Sequence, residues 1–298
     1  MRVGVIRVEQ MAVERVAVLQ KLAKAGELEE VRVLEVPEPA LADGVVLDTL
    51  HEQLQDFHAV FVGVPGVYTP HLANAALKAG VHIFLGRSAV PSLSECTALA
   101  ALAEEAGVEV GLSRIMRFHP FLEALPAAWR TAAITLHHSV TAVDATAFQQ
   151  MLEDAVDLCC SLAGTGEVRK IEAQLVQRSR RFPVCLLVGI RFQNGTYAHV
   201  ELKQGSRENA HSVYAGGGGF EIEADFEQQQ IYRSRAASQE NEALSNAFDK
   251  KNFRLQDLIA TETIAFLASL RDRKPVPISI MDGLQTLRLV ENIRKKLR

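Results

Sequence analysis

The run Met1-Arg-Val-Gly-Val-Ile-Arg-Val-Glu-Gln-Met-Ala12 decides the fold. Val3–Val8 is an apolar strand, and from Ala12 the apolar spacing is helical as far as Gly26. Strand, tight turn and helix in that order open a doubly wound α/β unit. In dinucleotide-binding versions the turn carries three glycines: one for the bend, one for backbone approach to a pyrophosphate, one for close helix–strand packing. Here those positions are Arg7, Glu9 and Ala12. Ala12 is small enough for the third role. Glu9 sets a carboxylate where two phosphates would sit, wrong in shape and in sign.

Outward from this run, strands and helices alternate. Val31–Val36 is a second strand, stopped by Pro37 and Pro39, and Ala59–Val64 is a continuous apolar run suited to a strand covered on both faces. Pro70–Ala79 reads as a helix closed by Gly80, His82–Leu85 as a strand, Leu93–Ala106 as a helix closed by Gly107, and Glu109–Leu112 as a strand. Such repetition implies a parallel sheet with right-handed crossovers, a Rossmann-type domain over residues 1–120.

After Pro120 the texture changes. A helix over Leu152–Leu162 ends at Gly164, and β-rich stretches follow at Arg169–Arg178, Val184–Phe192, Tyr197–Lys203, Glu221–Phe226 and Gln230–Arg233. Asn194-Gly195 between two of them is a hairpin signal, and Gly216–Gly219 reads as a turn between strands. Helices over Phe253–Asp272 and Met281–Lys296 close the chain. Residues 121–298 are thus expected to form an α+β domain with a large, mostly antiparallel sheet. The last helix is expected to pack on the first domain through Leu284, Leu287, Val290 and Ile293.

Composition narrows the function classes. The 298 residues are 48% hydrophobic and 23% charged, with a formal net charge of −4, so neither nucleic acid nor an anionic membrane is a favoured partner. No apolar run has the length of a membrane span, and the first dozen residues lack a signal-peptide layout; a cytoplasmic location is expected. Cys96, Cys159, Cys160 and Cys185 match no zinc spacing and read as buried free thiols. His137-His138 reads as a strand pair facing opposite ways, and no metal site is expected. Arg178, Arg180 and Arg181, with Arg169 and Lys170, read as a solvated strand end or an interface, the alternative being a sugar-phosphate site.

Collinear segments carry a resemblance. Asp56-Phe-His-Ala-Val-Phe-Val-Gly-Val-Pro65, Ala75-Ala-Leu-Lys-Ala-Gly-Val-His-Ile-Phe84, Val188-Gly-Ile-Arg-Phe-Gln-Asn-Gly-Thr-Tyr-Ala-His-Val200 and Phe266-Leu-Ala-Ser-Leu-Arg-Asp-Arg-Lys-Pro-Val-Pro-Ile-Ser-Ile-Met-Asp-Gly-Leu-Gln285 occur in order. Together they resemble the glucose–fructose oxidoreductase / inositol dehydrogenase (Gfo/Idh/MocA) family over nearly the whole chain. The resemblance implies NAD or NADP as cofactor, a hydroxyl of a sugar or cyclitol as the reacting group, and dimers or tetramers paired through the second domain's sheet.

The family's chemical positions are altered. Its Glu-Lys-Pro after the fourth strand is Gly86-Arg87-Ser88, and a guanidinium stays protonated at any working pH. The Asp, His and Asp of its second-domain helix are Gln150, Asp154 and Asp157, so the imidazole is missing. The ribose-binding acid aligns with Val36, flanked by Glu35 and Glu38. Thr-Pro followed by histidine becomes Val64-Pro65 followed by Thr69, with His71 two residues late, while Arg117, Phe118 and Pro120 remain of an Asn-Arg-Arg-Phe-like segment. The resemblance therefore assigns Arg87, Asp154 and Asp157 to the catalytic positions, and Arg7, Val8, Glu9, Val64 and Pro65 to the cofactor positions. Three functions stay open. One is a family member without the standard chemistry, acting by binding a sugar-like molecule or by assembly with itself or a paralogous subunit. The second is an NAD(P)-dependent oxidoreductase with a rebuilt site, using Asp154 or Asp157 as base. The third is a non-redox enzyme.

Overall fold

The computed structural model describes residues 1–7, 13–35, 52–123, 125, 131–178, 183–235, 247–249 and 255–297. Its first elements are β1 (Arg2–Arg7), α1 (Val13–Lys24), β2 (Glu30–Glu35), β3 (Ala59–Gly63), α2 (Thr69–Lys78), β4 (His82–Leu85), α3 (Leu93–Ala106) and β5 (Val110–Leu112). Next come β6 (Ala133–Val140), α4 (Ala145–Ala163), β7 (Val168–Arg178), β8 (Pro183–Phe192), β9 (Tyr197–Gln204) and β10 (Ala210–Gly217). The chain continues with β11 (Phe220–Asp225), β12 (Gln230–Arg235), β13 (Ala247–Asp249), α5 (Leu255–Asp272) and α6 (Ile280–Lys296). Two compact units result: Met1–Ile115 with Leu255–Leu284, and Met116–Arg254 with Gln285–Arg298.

In the first unit five parallel strands run in the order β2-β1-β3-β4-β5. The order reverses between β1 and β3, which makes their carboxyl ends the place where folds of this kind take ligands. Every residue of β3 is buried, as its unbroken apolar run requires. Rings of Phe61, Phe84 and Phe266 meet at centroid distances of 5.0–5.5 Å, which brings α5 onto the sheet. Gly111 on β5 makes room for this, since a Cβ there would lie 2.8 Å from the Phe266 ring.

A buried polar knot sits beside the rings. Arg15 of α1 donates to Glu262 Oε2 at 2.6 Å and to Thr263 Oγ1 at 2.7 Å, both on α5. Its guanidinium also lies 4.4 Å from the centroid of Phe84. Just past β5, the Ser113 hydroxyl donates to Glu262 Oε2 at 2.9 Å and the Arg114 N–H to Oε1 at 2.6 Å. One carboxylate thus joins α1, α5 and the end of β5.

The second unit holds an eight-stranded sheet, β13-β12-β11-β10-β6-β9-β8-β7, antiparallel throughout except between β6 and β9. Phe148, Leu152 and Val156 of α4 share a core with Leu186, Val188 and Ile190 of β8 and Val200 and Leu202 of β9. The last helix differs from expectation. Leu289, Val290 and Ile293 belong to this second core, and only Ile280–Leu284 of α6 falls in the first unit.

The β8 run Leu186-Leu-Val-Gly-Ile190 alone would give the opposite face of this sheet apolar character as well, and the structure differs. Leu187 and Gly189 do point away from the core, but their register partners are Glu201 and His199. Glu201 is bonded to His137 at 3.0 Å and to Lys203 at 2.5 Å, so this face carries linked charges. The chain alternation of β8 could not reveal its neighbours' polarity. His137 and His138 face opposite ways, His138 stacking on His211 with centroids 4.0 Å apart. Gly218 and Gly219 take positive φ in the β10–β11 turn. All four cysteines are buried thiols that form no disulfide. Among the described residues no helix is long and apolar enough to cross a membrane, and no three metal-ligating side chains converge.

Removing the charge of Glu262 alone strands Arg15 in the core. Glu262→Gln should lower the unfolding free energy by about 3–5 kcal/mol in urea titrations. Replacing both partners, Arg15→Leu with Glu262→Leu, should cost less than that single change.

Candidate functional site

At the carboxyl edge of the first unit's sheet, Arg7 ends β1 in register with Gly63, and Val64-Pro65 continues from β3. Val64 is fully buried, and a 3-10 turn over Gly66–Tyr68 follows Pro65. After β4 and Gly86, a second 3-10 turn begins at Arg87, whose side chain is exposed. The Thr69 hydroxyl is buried and donates to the Ala89 carbonyl at 2.6 Å, tying the start of α2 to this second turn. Thr69 stands where the resemblance would place histidine, and here it holds backbone together. Val8, Glu9 and Ala12 lie outside the described residues, as do Val36 and Glu38. Arg7, Val64, Pro65 and Arg87 therefore gather at one sheet edge, around the switch point between β1 and β3.

Gln150, Asp154 and Asp157 lie on α4 of the second unit. That helix starts at Asp144, whose carboxylate accepts from the Ala147 N–H at 2.6 Å, and ends at Gly164 with φ 68°. Steps of four and three residues keep the three side chains on one side of the helix. Gln150 and Asp154 are half-buried, whereas Asp157 is only 2% exposed. Asp157 accepts from Arg117 twice, from Nε at 2.9 Å and Nη2 at 2.8 Å, and from the Thr286 hydroxyl at 3.2 Å. Arg117 belongs to the 3-10 segment Ile115–Phe118. The bidentate fork fixes that segment to α4 and balances the carboxylate's charge.

These positions have limited chemistry. Arg87 can bind an anion but not accept a proton. Gln150 can hydrogen-bond but not exchange a proton near neutral pH. Asp157 is engaged by a guanidinium and a hydroxyl, which holds its charge in place. Sequence reasoning missed the role of Arg117 and Thr286, because their spacing from Asp157 carries no local signal. It also missed His119, which is buried among the rings of Phe121 and Phe226. Burial lowers its imidazole to about 4, and Nδ1 accepts from the Phe121 N–H at 3.2 Å.

Asp157→Asn should lose about 3 kcal/mol of stability in the same urea titration. For His119 the folded state holds the proton more weakly than the unfolded chain. Its contribution is therefore complete above the ordinary histidine range and lost as pH falls toward about 4. The urea midpoint of His119→Asn should accordingly fall less between pH 7 and pH 4.5 than that of the parent protein.

No protein-family model and no curated protein sequence matches the chain. Solved structures do. The UDP-N-acetylglucosamine 3-dehydrogenase of Acidithiobacillus ferrooxidans superposes with a TM-score of 0.82 at 20% identity, over 100% of this chain and 97% of that one. An NAD binding oxidoreductase from Klebsiella pneumoniae gives 0.80 at 12% identity, over 100% and 97%. A levoglucosan dehydrogenase in complex with NADH gives 0.77 at 14% identity, over 99% and 96%. The chain has the two-part fold of the Gfo/Idh/MocA-type oxidoreductases, a parallel Rossmann-like sheet followed by a large, mostly antiparallel one.

Proposed function

We propose that this chain is an oxidoreductase-like protein that works by binding a sugar-like ligand, or by assembly with itself or a paralogous subunit, without the standard proton-coupled hydride transfer. The supporting observation is the state of Asp157. It alone keeps the family's residue type among the catalytic positions, and it is occupied by Arg117 and Thr286 as a structural anchor. Arg87 replaces the lysine, Gln150 the aspartate and Asp154 the histidine, so the groups that would pass a proton to and from a hydroxyl are gone.

The fold implies NAD or NADP, whose nicotinamide supplies or takes a hydride when bound. At the described strand ends of the first unit, the side chains suited to such a molecule are the guanidinium groups of Arg7 and Arg87. They suit an anionic group. No lysine or histidine stands at those described strand ends to carry the accompanying proton. The residues thus fit an anion and do not fit the coupled transfer.

Titration of the purified protein with NADH and NADPH, followed by nicotinamide fluorescence, should give no binding tighter than about 1 mM. Sugar hydroxyls should not be oxidised. Arg87→Lys alone should leave turnover absent, since two further positions are changed. The triple variant Arg87→Lys, Gln150→Asp, Asp154→His is the smallest change expected to produce any. Low-micromolar cofactor binding together with turnover by the parent protein would overturn this reading.

A further inference from the structure

The basic cluster read from the sequence is not where the sequence placed it. Arg178 pairs with Pro183 at the far end of β7, about 30 Å from Arg169 at ordinary strand rise, and Arg180 and Arg181 lie outside the described residues. Arg169 and Lys170 instead meet Arg191. On β7 Val168 pairs with Phe192, and the next register pair is Lys170 with Arg191, so Arg169 is an extra residue. A bulge of this kind sets two residues of one strand against one of the other and re-aims their side chains. Here it concentrates three cations at one corner of the sheet.

Like charges placed opposite each other across strands are destabilising, so the corner needs a counter-charge. Glu172 supplies one, through an ion pair to Lys170 at 2.5 Å. Three cations against one carboxylate leave two positive charges around the cavity they line. The Arg169 side chain makes no hydrogen bond or ion pair with any described residue, and the Arg191 guanidinium lies 6.0 Å from the centroid of the Tyr197 ring. Opposite Glu172 stands Gly189, and a Cβ there would lie 2.7 Å from the Tyr197 hydroxyl. The missing side chain forms the floor, with the phenol hydroxyl over it. The cavity holds about 410 Å³ and is bounded by Arg169, Lys170, Glu172, Gly189, Arg191 and Tyr197.

We propose that this corner of the second unit's sheet is a binding site for a phosphate monoester dianion on a small molecule. The two guanidinium forks match phosphoryl oxygens in pairs, the ammonium adds a point charge, and the phenol donates a further hydrogen bond. The residual charge of two matches a dianion, and the volume exceeds a phosphate alone, which leaves room for the group it is attached to. Inorganic phosphate shares the chemistry and should bind more weakly.

The full chain is titrated calorimetrically with glucose 6-phosphate, inorganic phosphate and glucose. Glucose 6-phosphate should bind tightest, inorganic phosphate at least about tenfold more weakly, and glucose not at all up to about 10 mM. Arg191→Gln and Arg169→Gln, both exposed positions, should each weaken glucose 6-phosphate about tenfold without moving the melting temperature. Arg191→Lys should recover part of the loss. Affinity unaffected by Arg169→Gln and Arg191→Gln would overturn the site, as would no binding of either phosphate below about 10 mM. So would sedimentation showing that these substitutions merely dissociate an oligomer, since carboxylates of a second copy would then be the counter-charge.

Discussion

The first unit depends on one buried carboxylate. Its sheet is complete by residue 112, yet the helix that covers Phe61 and Phe84 begins at residue 255. Apolar packing can press such a helix onto the sheet but is tolerant of rotation and sliding. Glu262 removes that tolerance by accepting from Arg15, Ser113 and the Arg114 backbone at once. A buried ion pair adds little net stability over an apolar substitute, because desolvation offsets most of the attraction. What it adds here is a single permitted register for α5 against α1 and β5. Arg15 stacked on Phe84 serves the same end from the other side.

The second unit has a parallel device in Asp157 and Arg117. A helix and a 3-10 segment are fixed by a two-pronged ion pair between side chains forty residues apart and by one hydroxyl. Arg117 and Asp157 are also two of the residues on which the sequence resembles the Gfo/Idh/MocA pattern. The pair contributes to the folded state whatever the site does. A residue can therefore keep a catalytic-looking position for reasons that have nothing to do with a reaction.

Local signals made much of the fold readable. The β1 and β3 runs, the glycines closing α3 and α4 at φ 65° and 68°, and Asn194-Gly195 are all set by near neighbours in sequence. Asn194 shows how local this is, since its side-chain oxygen accepts from the Thr196 N–H at 3.1 Å. β10 was not read as a strand, because His211, Ser212 and Tyr214 break its apolar alternation and its partners β6 and β11 supply the context. The membership of α5 in the first unit was hidden for the same reason, its fixing contacts lying 148 to 248 residues away. At the candidate site, residue types were legible and their engagement was not. Nothing in the sequence around Asp157 says that a guanidinium and a hydroxyl already hold it.

The fold and the chemistry of this architecture are carried by separate side chains, and this sets what the sequence is free to change. Arg87 is exposed after β4, and Gln150 and Asp154 sit half-buried on a helix whose stability comes from Phe148, Met151, Leu152, Ala155 and Val156 on its core face. None of the three belongs to the core, to a helix cap or to the Arg15–Glu262 and Arg117–Asp157 pairs. The same independence holds on the sheet's other face. Residues alternating with Leu186, Val188 and Ile190 can turn to charges and glycine without disturbing the apolar rows behind them. A bulge at Arg169 then needs only one extra residue to gather cations at an edge. Such a scaffold can lose one set of polar groups and acquire another while its packing, and hence its superposition on distant dehydrogenases, stays the same.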